Sequence, residues 1–117
     1  FLKWHPVVSA DVHEMGSDST YYFPPPAPPT NPNLAKDVIT NTEMVGRNIA
    51  KWFDANGIDY FNREVYDAFY PGYGDSWPAM NGTIAMTFEQ GSVRGLVVRR
   101  SDGKEIAYRD SVRHHFV

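Results

Sequence analysis

Cysteine is missing from the chain, so neither a disulfide framework nor a thiolate metal site is available, and any metal must be taken by His, Asp, Glu or water. Long apolar runs are missing too: none approaches the roughly 20 residues of a membrane-spanning helix. Basic residues are not in excess. A net charge of −3 argues against a nucleic-acid surface. No internal repeat is visible, which sets aside solenoid and propeller architectures. What remains is an ordinary globular composition, 42% hydrophobic and 21% charged over 117 residues, enough for a single core.

The first residue is Phe1, and a strand-like run follows almost at once. At the other end, Asp110 to Val117 reads as the first turns of a helix with Asp110 as its N-cap. Both features lead us to expect an internal stretch of a longer protein. Between Trp4 and Val12 the apolar residues are dense enough for a strand covered on both faces. Side chains alternate along a strand, so Asp11 and His13 share one face while Glu14 takes the other. The segment from Gly16 to Asn33 reads as a loop, because the six prolines between Pro24 and Pro32 exclude regular pairing. Leu34, Val38, Val45, Ile49, Trp52 and Phe53 then recur at helical spacing. They predict a scaffold helix from about Leu34 to Ala55, capped by Asn33, stopped at Asn56-Gly57, and anchored in the core by Trp52 and Phe53.

Ile58 to Phe69 is aromatic and charged and is expected to be partly helical. Tyr70 to Pro78 concentrates Gly, Pro and Tyr and predicts a loop of tight turns. Thr83 to Glu89 has the character of a short buried strand that ends on a carboxylate. Asp102-Gly103 predicts a two-residue hairpin between Gly95–Arg100 and Glu105–Arg109. The fold class is therefore α/β, a mixed β-sheet with flanking helices.

The chemistry concentrates in Asp11-Val-His-Glu-Met-Gly-Ser-Asp-Ser-Thr-Tyr-Tyr-Phe23, where extended structure gives way to a turn. His13-Glu14 does not make a His-Glu-x-x-His zinc helix, since position 17 is Ser and the setting is a strand end. The segment instead resembles the third zinc-ligand segment of zinc carboxypeptidases related to carboxypeptidase A. A second segment follows in the same order as in that family: a Gly- and Tyr-bearing loop from Gly72, then Trp77, a turn, and a strand with Thr87-Phe88-Glu89.

The resemblance implies the C-terminal part of a metallocarboxypeptidase catalytic domain that holds one zinc and removes the last residue of a peptide. It makes His13 the metal ligand and Glu89 the catalytic base. Tyr70 or Tyr73 becomes the loop tyrosine that closes over substrate, and Asp75, in the same loop, a residue for side-chain preference or simply a turn former. Asp11 is a candidate for the carboxylate that orients the ligand imidazole, the alternative being a surface or turn carboxylate. The family is often secreted or periplasmic. Its partners would be peptides, with neither nucleic acid nor membrane involved. One departure is plain: the family's other two zinc ligands lie in a His-x-x-Glu motif upstream, and no such motif occurs here. The alternative is a non-enzymatic module whose Tyr- and Pro-rich loops bind a peptide or a carbohydrate. Glu14 is expected to bond the Gly16-Ser17 turn, and His114-His115 not to act as a metal pair, because neighbours on a helix diverge by about 100°.

Overall fold

Two strands separated by most of the chain form its longest pairing. The computed structural model describes residues 1–117. In chain order the elements are β1 (Val8–Met15), β2 (Tyr21–Tyr22), β3 (Ala27–Thr30), α1 (Lys36–Asn56), β4 (Tyr60–Phe61), β5 (Asp67–Ala68), α2 (Ser76–Met80), β6 (Ile84–Gly91), β7 (Val97–Arg99), β8 (Glu105–Ala107) and α3 (Tyr108–Phe116). β1 and β6 run parallel in register from Val8↔Ile84 to Met15↔Gly91. β2 joins the other side of β6 antiparallel, and β4 pairs with β2 in parallel. The result is an α/β fold with a mixed four-stranded sheet in the order β1-β6-β2-β4, two small two-stranded sheets and three helices.

Alternate residues of β6 serve opposite faces. Phe88 packs against the aromatic cluster of Tyr21, Phe23 and Phe53, which the last turns of α1 close with Ile49 and Trp52. Phe23 and Phe53 are fully buried, each contributing about 1.5–3 kcal/mol. Ala85 lies with Val38 of α1 and Ala79 of α2 in a second small cluster. The helix can approach this closely because Gly46 faces Pro24: a Cβ there would overlap the Pro24 carbonyl oxygen. Gly57 stops α1 in the left-handed conformation, as its position after Asn56 predicted.

Several expectations need correction. β1 begins at Val8 rather than Trp4. It is not covered on both faces, since Val8 and Val12 are 54% and 58% exposed on an edge strand with one neighbour. The proline run does pair: β3 joins β5, because the bonds come from flanking N–H groups, Ala27 to the Tyr66 carbonyl and Asn31 to the Ala68 carbonyl. The N-cap of α1 is Ala35. Asn33 instead donates its N–H to Asn31 Oδ1, which tightens the turn before the helix. Phe53 is a core anchor as expected, whereas Trp52 is only partly buried, with the Arg113 guanidinium 5.4 Å from its ring.

Ile58 to Phe69 contains no helix. It supplies β4 and β5, where Tyr60, Phe61 and Tyr66 pack their rings on Phe23 and Tyr22. The Tyr70–Pro78 loop turns into α2 at Ser76. β6 runs on to Gly91, so Glu89 lies inside the strand, not at its end. The Asp102-Gly103 hairpin forms as β7 and β8, with Gly103 at φ 83°. Asp110 sits in the first turn of α3, where its carboxylate accepts the Ala107 N–H; it does not precede the helix.

Candidate functional site

The register of β1 against β6 builds the site. His13 is the partner of Glu89 and Asp11 that of Thr87, and residues opposite one another in a parallel pair point to the same face. Asp11, His13, Thr87 and Glu89 therefore form one wall of a cavity of about 300 Å³. The Tyr73–Asp75 loop and the β5 segment with Tyr66 and Asp67 close the opposite side.

His13 is held by Asp11, whose Oδ1 lies 2.9 Å from the imidazole Nε2. That bond, with the charges of Asp11, Glu89 and Asp75, raises the pKa of His13 against the opposing effect of partial burial. With Nε2–H donating to the carboxylate, Nδ1 is the nitrogen left for a ligand, the arrangement in which a second carboxylate fixes a metal-binding histidine. Asp11 is itself seated by the loop: a Cβ on Gly74 would overlap its Oδ2.

Glu89 is 8% exposed. Burial raises its pKa most, His13 lowers it, Asp11 raises it, and a hydrogen bond with the Tyr66 hydroxyl lowers it. The Tyr66 phenol is shifted upward in turn by burial and by Glu89. Asp75 is also raised, chiefly by burial, against the hydroxyls of Thr87 and Ser76, the latter at 3.4 Å. Two carboxyl groups with raised pKa values thus share one cavity with a protonatable histidine, a pattern common where proton transfer occurs.

Comparison with known protein families, with curated proteins and with solved structures finds no match for this chain. The assignment of function therefore rests on the residues themselves.

Of the residues singled out in the sequence, Asp11, His13, Tyr73, Asp75 and Glu89 are brought together. Tyr70 is not a lining residue: it is 58% exposed and meets the edge of the Tyr73 ring, centroids 5.3 Å apart. Glu14 points to the other face, but its carboxylate accepts from the Ser92 hydroxyl at 3.0 Å rather than from the Gly16-Ser17 turn. His114 Nδ1 lies 2.8 Å from Gln90 Oε1 and His115 Nδ1 lies 3.0 Å from the Tyr21 hydroxyl. Thr87, Tyr66 and Asp67 are additional. Thr87 was within reach of the alternation rule, being two residues before Glu89. Tyr66 and Asp67 were hidden by the helical expectation for their segment.

A metal finds too few donors within these 117 residues. No group of three His, Asp or Glu side chains converges closely enough to hold an ion. A catalytic zinc uses three protein ligands, so His13 alone does not make the site.

Proposed function

We propose that this chain carries the catalytic-base part of a zinc carboxypeptidase-like domain, which hydrolyses the last peptide bond of a peptide. The observation that supports it most is the pairing of His13 with Glu89 on one cavity wall, because the resemblance names those two residues and requires them to be neighbours. Glu89 takes the proton of the attacking water and passes it to the leaving amine. Its raised pKa makes the carboxylate a stronger base for the first half of that exchange, and the proton it then holds is the one passed to the amine in the second. Asp11 keeps the His13 ring in one tautomer and orientation, and Tyr73 stands at the cavity for the substrate. The reading needs two further zinc donors from outside residues 1–117.

A binding module is the second reading, favoured by the missing three-donor cluster. Glu89→Gln in the complete gene product separates the two. The amide keeps size and hydrogen bonding but accepts no proton, so kcat is expected to fall by about 10²- to 10⁴-fold with zinc content unchanged. Wild-type protein that hydrolyses no peptide, or a variant whose turnover stays within about threefold of wild type, would remove Glu89 from the mechanism.

A further inference from the structure

His114 and His115 are neighbours in α3, and the roughly 100° between successive helical side chains sends them to different strands. His114 meets an inner strand of the sheet: its Nδ1 lies 2.8 Å from Oε1 of Gln90, the residue after Glu89 in β6. His115 reaches further. Its Nδ1 lies 3.0 Å from the Tyr21 hydroxyl of β2, with the two rings edge to face and 5.3 Å apart, and its ring is also hydrogen-bonded to the backbone of His13 in β1. β1 and β2 lie on either side of β6, so one imidazole links the two strands that flank the Glu89 strand.

The bond to His13 favours the protonated ring, so the ring is the donor and the backbone carbonyl the acceptor. A neutral imidazole has one N–H. Once that hydrogen is given to the carbonyl from Nε2, Nδ1 is left to accept from the Tyr21 hydroxyl. The contact is made from the face away from the cavity. Tyr21 packs there with Phe88, whose side chain points opposite to that of Glu89, and the carboxylate whose charge reaches His115 is that of Glu14. β1 is an edge strand with β6 as its single neighbour, so its ladder holds it from one side only.

From this we infer that His115 is a positioning residue for His13, gripping its carbonyl from the far face so that the imidazole stays opposite Glu89. The consequence for turnover rests on the carboxypeptidase reading, whereas the hydrogen bond does not. Measurements on the complete gene product keep the two apart. In wild-type protein labelled with ¹⁵N-histidine at pH 7.5, His115 is expected to carry its hydrogen on Nε2 and none on Nδ1. The reverse tautomer would overturn the proposal without any substitution. His115→Phe keeps a ring of similar size and removes both nitrogens, so it is expected to move the His13 carbonyl ¹³C resonance upfield, while His114→Phe leaves it in place. For a peptide substrate, kcat is expected to fall about 3- to 10-fold in His115→Phe with KM within about twofold, the range of one lost hydrogen bond, and to recover in His115→Gln, which restores a donor. An unmoved His13 carbonyl, or an equal loss of kcat in His114→Phe, would reduce His115 to a general fastening of α3 and overturn the proposal. A moved carbonyl in a protein that hydrolyses no peptide would overturn the enzyme reading and leave the hold on His13 standing.

Discussion

Gly74 and Asp11 are in contact, and through that contact the loop bears on the histidine. A methyl group at residue 74 would overlap the Asp11 carboxylate, which must then leave the His13 Nε2 it holds at 2.9 Å. Because the Asp11 hydrogen bond is the largest cause of the raised His13 pKa, Gly74→Ala is expected to bring that pKa down towards the ordinary value of about 6.5. Asp11→Asn should do the same without the steric change, and NMR titration of the ring protons reads both. The stability consequence has a definite sign. A folded-state pKa above the unfolded one stabilises at acidic pH, fully below about 6.5, and the contribution is lost as pH rises through the folded value. Urea unfolding at pH 5.5 and at pH 8 should therefore show Asp11→Asn weakened at the lower pH relative to wild type, with the gap closing at the higher. At this scale the sequence was informative, because alternation alone puts Asp11 and His13 on one face. The bearing of Gly74 on Asp11 was not legible, since it depends on how a distant loop folds back.

Helix α3 is fastened to the sheet by two partly buried imidazoles, each hydrogen-bonded to a neighbour. The Gln90 amide donates from Nε2 to the Gly91 carbonyl at 3.1 Å, so its Oε1 is the atom facing His114, and Nδ1–H must donate to it. Burial lowers the pKa of His114, and that of His115 beside Tyr21. Here the sign is opposite to that of His13. Below about pH 6.5 the unfolded chain takes up protons that the folded one resists, so stability is full above that value and falls as pH drops towards the depressed folded pKa. His114→Gln, a neutral donor without a titration, is expected to shrink the loss of urea midpoint between pH 7.5 and pH 5.5. An unchanged loss would remove His114 from the acid response. Elements with a strong period or turn signal, such as α1 with its Gly57 stop and the hairpin at Asp102-Gly103, were legible in the sequence within a few residues. β4 and β5 were not. Two-residue strands carry no periodicity, and theirs exist because Tyr22 and Phe23 offer aromatic surface to pack against.

Across the whole molecule, the site depends on a register that no local pattern contains. Alternation gives each strand a face, but only the pairing of β1 with β6 decides whether His13 meets Glu89 or slides past it, and a slip of one residue would put them on opposite faces. That pairing leaves one imidazole with a free Nδ1, one buried carboxylate beside it, and no third donor converging on them. A single imidazole is far short of the three protein ligands of a catalytic zinc, and the proton that Asp11 helps His13 retain competes with any metal for the ring. Residues 1–117 by themselves are thus expected to retain no stoichiometric zinc in equilibrium dialysis at neutral pH, and less at pH 6 than at pH 8. One tightly held zinc per chain, lost in His13→Ala, would mean that donors within these residues assemble in a way the β1–β6 geometry does not provide, and would move the ligand set inside this segment.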